Sequence, residues 1–262
     1  MRSLSIVVAL LLIAIVGGAA AWTYVGAPML AQSGEHARRV VSQANLKAIG
    51  LAIHQYHKVN RALPNGTFPS TTLKPEERLS WQAAILPYIE QAALAKQLDP
   101  NAAWDQGANA TFSKSDVKTF RDPKLGIANP GATSYVGLAG VGPDGPMLEA
   151  SDKKAGIFAY DSPRSIRDCR DGTSNTIWVA ESSRPAFWAQ GGPSTIRPLT
   201  TTPYLGGPDG IGGVSVGGTN VFVGDGQVRF INNKIDPKLM EALTTINGGE
   251  NLKDFEANPF EK

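Results

Sequence analysis

The sequence is poor in the residues that most often carry metal and redox chemistry. It has one cysteine, Cys169, and three histidines, all near the start of the chain. A single thiol excludes an intramolecular disulfide in any compartment. A catalytic thiol needs a basic neighbour, and the histidines lie far upstream, so Cys169 reads as a small buried side chain. No sign of charge dominates either. Lys plus Arg is 25, Asp plus Glu is 23, and the net charge is +2. Basic residues come at most in short pairs such as Arg38-Arg39 and Lys153-Lys154. That leaves no field for steering nucleic acid. There is no His-Glu-x-x-His, no phosphate loop and no dinucleotide fingerprint. The chain therefore reads as non-enzymatic, with no catalytic, cofactor-binding or metal residue assigned and no nucleic-acid partner.

What is plentiful is glycine and proline, 28 and 18 in 262 residues. This suits a turn-rich, largely β body. The other abundance is at the N-terminus, where Arg2 is the last charge before Glu35. Leu4 to Ala21 as a helix would span roughly 27 Å, close to a bilayer core. Trp22 and Tyr24 follow at interfacial depth. The expectation is a membrane anchor or signal over 1–34, contacting the membrane through residues 4–25, and an extracytoplasmic domain over 35–262. A single-pass protein would then face the periplasm or the cell exterior. The alternative is secretion after cleavage near Ala21, where Ala19-Ala20-Ala21 fits a signal-peptidase site.

In the body, residues 35–58 predict a helix with Leu46, Ile49, Ile53 and Tyr56 as its apolar stripe. His54 and His57 on that helix could share a metal, but nothing nearby supplies further ligands. Residues 80–99 predict a second helical stretch, N-capped by Ser80, divided or kinked at Pro87, with Trp81, Ile85, Ile89 and Leu94 in the core. From about residue 133, β-type runs alternate with turns: "SYVGLAG", "AGIFAY", "NTIWVAES", "GVSVGG" and "NVFVGDGQVRFINN". Asp225-Gly226 at the tip of the last reads as a hairpin turn. Asp236 and Pro237 predict the start of a short C-terminal helix with Leu239, Leu243 and Ile246 inward, ended near Asn247-Gly248-Gly249. Helices followed by strands make the class α+β, with an antiparallel sheet.

Several pieces, in order, resemble a family of pilin-like envelope proteins abundant in planctomycete bacteria, catalogued as domain-of-unknown-function family 1559. They are Ala37-Arg38-Arg39, Asn45-Leu46-Lys47, Trp81 with "LPYIEQ", Asp171-Gly172-Thr173-Ser174-Asn175-Thr176 with Glu181, Asp225-Gly226, and Gly248-Gly249-Glu250. The prepilin signal of many members is absent. The family's frequent His, ten residues before the hairpin Asp, is Ser215 here. Its frequent Cys before the Asn-Leu-Lys segment is Ser42. The resemblance implies a pilin-like fold, with a transmembrane-plus-amphipathic N-terminal helix laid on the sheet, helical insertions and a short C-terminal helix. It implies an envelope protein of structural or secretion-related role. Its partners would be further copies or secretion-apparatus proteins, met through that helix. Asn45, Trp81, Asp171, Gly172, Asn175, Glu181, Asp225, Gly226, Gly248 and Gly249 are then turn or interaction positions. Calcium is the one ion to consider, since major pseudopilins hold it in a surface loop, although these Asp-Gly pairs lack the spacing of a calcium loop. The alternative function is an extracytoplasmic solute- or carbohydrate-binding module, with Trp178, Phe187 and Trp188 as an aromatic platform, although Trp178 in "NTIWVAES" reads first as a core residue.

Overall fold

A computed structural model of the protein describes residues 27–122, 129–213, 215–252 and 255, with side chains from residue 34 onward. The expected membrane segment, residues 4–25, and the cleavage site near Ala21 lie outside these residues. No described helix is long and apolar enough to cross a membrane. The chain divides after Val40 into two compact units.

Helix α1 runs Ala27–Asn60. Its predicted stripe is the buried one: Leu46, Ile49, Ala52 and Ile53 are inaccessible or nearly so. Each large aliphatic contributes about 1.5–3 kcal/mol by leaving water, as an upper estimate. The helix stops where Arg61 enters the left-handed region (φ 60°) and donates its N–H to the His57 carbonyl at 2.8 Å. This closes the last turn as a left-handed cap does. The second helical stretch is divided as Pro87 requires. Helix α2 is Trp81–Ile85, a tighter turn covers Leu86–Tyr88, and α3 is Ala92–Ala95. Ser80 caps α2, its hydroxyl accepting the Gln82 N–H at 3.0 Å. A further turn of helix, α4, is Asn109–Phe112.

Among the described residues the sheet has five strands: β1 Ala132–Val141, β2 Ile177–Phe187, β3 Ile196–Leu199, β4 Gly218–Val223 and β5 Val228–Asn232, in the order β3-β1-β2-β4-β5. Neighbours are antiparallel except β1 and β3, which are parallel. The sheet is thus mixed, which corrects the antiparallel expectation. After β2 the chain passes the start of β1, where the Trp188 N–H meets the Gly131 carbonyl at 2.9 Å. It then enters the far edge in the same direction as β1. Two expected strands are not strands. "AGIFAY" joins the sheet by one bridge, Ala155 to Gly140, and of "GVSVGG" the described Gly213 and Ser215 to Gly217 lie in irregular chain while Gly218 opens the strand Gly218–Val223.

Both faces of the sheet are covered. On one, Leu46, Ile49 and Ile53 share a core with Trp81, Phe158, Trp178, Val179 and Phe222. On the other, Leu138, Ile177, Ala180, Val221, Val223 and Ile231 pack with Leu239, Met240 and Leu243. The last three come from the C-terminal helix α5, Pro237–Ala242, and its C-cap, and its N-cap Asp236 accepts the Lys238 and Leu239 N–H groups.

Candidate functional site

Strand β2 reads Ile-Trp-Val-Ala-Glu, and its Glu181 is an acid within an otherwise apolar, fully buried run. Pairing with β1 sets it opposite Tyr135. Helix α1 lays Ser42 on top, and β4 brings Thr219 and Asn220 alongside. Ser42 Oγ donates to Glu181 Oε1 at 2.5 Å, and Asn220 Nδ2 donates to the same oxygen at 2.8 Å. Oε2 accepts the Asn220 backbone N–H at 2.9 Å and the Thr219 hydroxyl at 3.0 Å. All four donors are neutral, so dipoles rather than a cation hold the carboxylate.

The network continues outward. Ser42 has one proton and spends it on Glu181, so in the 3.0 Å contact with Tyr135 the phenol donates to Ser42. Asn45 Nδ2 reaches Tyr135 Oη at 3.3 Å and the Arg121 carbonyl at 2.9 Å. Burial raises the Tyr135 phenol well above its ordinary range. Thr219 Oγ1 also accepts the Gly213 N–H at 2.9 Å. Helix α1, β1, β2 and β4 therefore meet at one carboxylate. Glu181, Ser42, Tyr135, Thr219 and Asn220 are all inaccessible or nearly so. Chemically the cluster resembles an activated serine, but among the described residues it has no imidazole, and its members are closed to solvent. What it does is fix the helix to the sheet.

The other motif residues do similar work. Asp171 accepts the Gly248 N–H at 2.8 Å and the Gly249 N–H at 3.0 Å. Two motifs distant in sequence are thereby joined. Asn175 Nδ2 folds back on the Asp171 carbonyl at 2.9 Å, beside Gly172. Trp81 is buried, and its indole donates to the Thr195 carbonyl at 2.9 Å. We expect Asp171→Ala to cost about 1–2 kcal/mol, the loss of two hydrogen bonds to a charged acceptor partly offset by water. Hydrogen exchange should quicken at Gly248 and Gly249 and leave the β2 amides unchanged. Unaltered exchange at the two glycines would refute the clamp.

Asp225 turns the chain. Its Oδ1 accepts the Gln227 N–H and its Oδ2 meets Arg229 Nη2, each at 3.0 Å. Gly226 sits at φ 91°, which a side chain would resist. The Gly226 carbonyl is held by Lys47 Nζ at 2.5 Å. Ser215, in place of the resembled family's His, is buried.

The remaining expectations resolve plainly. His54 stacks on Trp178 at 4.8 Å, and burial lowers its pKa below the ordinary value. Among the described residues no three His, Cys, Asp or Glu side chains converge on a point that could hold a metal. Cys169 is buried, and burial pushes its thiol up to about 12. Trp178 is fully buried, as its core reading has it; the aromatic platform is corrected, because Trp188 is fully buried too and Phe187 is half-buried against Trp104. Both tryptophans belong to the core that α1 covers.

Sequence reasoning flagged Glu181 and Asn45 but missed Tyr135, Thr219 and Asn220 as their partners. The available signal was an acid at the end of the apolar run "IWVAE". A buried acid demands several donors, and a polar pair inside the equally apolar "GTNVFV" could supply them.

A family model described as "Protein of unknown function (DUF1559)", with the name SBP_bac_10, matches residues 33–194, more than half of the chain. No curated protein and no solved structure matches.

Proposed function

The chain belongs to this family of unknown function, and we propose that it is a non-enzymatic envelope protein of structural or assembly role. In this reading residues 4–25 anchor it in a membrane, its body lies outside the cytoplasm, and α1 packs against α1 of a second copy.

The observation that carries the proposal is the outer face of α1. Val41, Ala44, Ala48 and Leu51 are all exposed, Val41 by 48% and Leu51 by 43%. Their spacing of three, four and three is that of a helix–helix seam. The two alanines allow close approach, and Val41 and Leu51 supply knobs on either side. Meanwhile the motif residues that could have served chemistry are engaged in internal hydrogen bonds. An exposed apolar row on α1, beside motif residues spent on internal hydrogen bonds, suits assembly better than turnover.

Crosslinking tests this. In the full-length protein in native membranes, Ala48→Cys adds an accessible thiol, while the native Cys169 is buried. Mild oxidation should give a disulfide dimer, and adding Leu51→Glu should reduce its yield several-fold. Failure of Ala48→Cys to crosslink, or its recovery only as a soluble cytosolic species, would overturn the reading.

A further inference from the structure

We propose that a cavity beside the edge strand β3 binds a small organic monocarboxylate. The cavity, about 270 Å³, is lined by Arg184, Arg197, Asp209 and the prolines Pro193, Pro198 and Pro208 among others. Arg197 lies on β3 and is only 9% exposed. Its Nη1 donates to Ser182 Oγ at 2.7 Å and to the Gly210 carbonyl at 2.8 Å. Its Nη2 donates to the Arg184 carbonyl at 3.0 Å. All these acceptors are neutral, and one Nη2 proton is left unspent. A buried charge is ordinarily paired with an opposite one. Among the described residues Arg197 makes no ion pair.

A second guanidinium enlarges the imbalance. A Cβ built on Gly210 would lie 2.6 Å from Arg184 Cδ and 2.7 Å from Arg197 Nη1, so the two arginines flank one glycine. Burial, and after it the Arg184 charge, lowers the Arg197 pKa to about 10. The hydrogen bonds of Arg197 tie Ser182 and Arg184 to Gly210, which is a structural role. Arg184 has no such role, since its side chain makes no hydrogen bond among the described residues. Its exposed stem is free to turn away from a like charge, yet it lies over Gly210 beside Arg197.

Asp209 is the only acid among the described lining residues. Its Oδ2 accepts the Thr200 N–H at 2.7 Å and the Thr201 N–H at 3.0 Å, and its Oδ1 accepts the Thr200 hydroxyl. Two cations against one anion leave a single positive charge. A monoanion cancels it, whereas a dianion would also be repelled by Asp209. A carboxylate offers two oxygens to two guanidiniums, the pairing their fork geometry favours. Pro193, Pro198, Pro208 and Ile196 give the rest of the ligand an apolar wall. The volume is below the roughly 300 Å³ where pockets for drug-sized ligands begin, so that remainder is short.

Titration calorimetry on the full-length protein decides it, with butyrate as probe and butyramide and inorganic sulfate as controls. Butyrate should bind saturably, about tenfold or more tighter than either control. Arg184→Gln, at an exposed position, should weaken butyrate about tenfold. The carboxyl carbon of a glutamate takes the place of Arg184 Cδ. Arg184→Glu should therefore supply the counter-charge itself, bind no butyrate, and melt at a higher temperature than Arg184→Gln. A mere surface role for Arg184 predicts no such gain. Absence of saturable butyrate binding, equal binding of butyramide, tighter binding of sulfate, an unaffected Arg184→Gln variant, or an Arg184→Glu variant that melts no higher than Arg184→Gln would each overturn the proposal.

Discussion

Replacing Glu181 with alanine should lower stability by about 3–5 kcal/mol. The carboxylate satisfies four donors, and two belong to Asn220, whose backbone N–H cannot turn away because β4 holds it in the sheet. Donors stranded in the interior cost about 1–3 kcal/mol each, and the emptied volume adds to this. The Ser42 and Thr219 hydroxyls can rotate toward other acceptors, which keeps the total below the simple sum. For a body of this size the melting temperature should fall by about 6–20 °C. Glu181→Gln should be milder, about 1–2 kcal/mol, because it keeps the shape and one carbonyl while turning a second acceptor into a donor facing donors. Ser42→Ala should cost about 1 kcal/mol. Urea unfolding of the three variants gives the comparison. A Glu181→Ala loss under about 1 kcal/mol would mean that the network contributes little to stability.

Gly50→Ala should destabilise by about 2–4 kcal/mol, against the sign that helix propensity gives. Alanine is favoured over glycine in a helix interior by about 1 kcal/mol. Here, however, a Cβ would lie 2.0 Å from Cε2 and 2.1 Å from Cζ of Phe222. Overlap of that size forces α1 away from the sheet or the ring out of its rotamer, and overpacking costs about 1–3 kcal/mol or more. Phe222 is fully buried, so the ring has nowhere to go. The diagnostic is the cycle with Phe222→Leu. In that background Gly50→Ala should cost less than about 1 kcal/mol, a coupling expected only of groups in contact. A Gly50→Ala protein as stable as the parent would show that α1 rides higher on β4.

How much of this was legible in the sequence follows the range of the interaction. The Asp225-Gly226 turn, the Asp236 cap and the Ser80 cap are made by residues two or three apart, and each was readable. The α1 stripe was readable too, since Leu46, Ile49 and Ile53 need only helical spacing. Strand β3 was not. "IRPL" is short, contains Pro198, and is a strand only because β1 lies beside it. "AGIFAY" has the apolar character of a strand but is buried by packing, with Phe158 against Trp81 and Gly137, and joins at one bridge. The Glu181 network was the least visible part. The resemblance named Glu181 and Asn45 as family positions, but their partners become neighbours only after the sheet has formed.

That separation also sets a timetable. Ser42 and Glu181 are 139 residues apart, and Gln43 and Asn220, also hydrogen-bonded, are 177 apart. At about 5–20 residues per second, a ribosome that has just made Gln43 needs between about 9 and about 35 s to reach Asn220. During that interval α1 has been synthesised while the strand that completes its inner face has not. Leu46, Ile49 and Ile53 are then available to any apolar surface they meet. That exposed stripe is a site for premature association until β4 is made. The last third of the chain decides when that exposure ends.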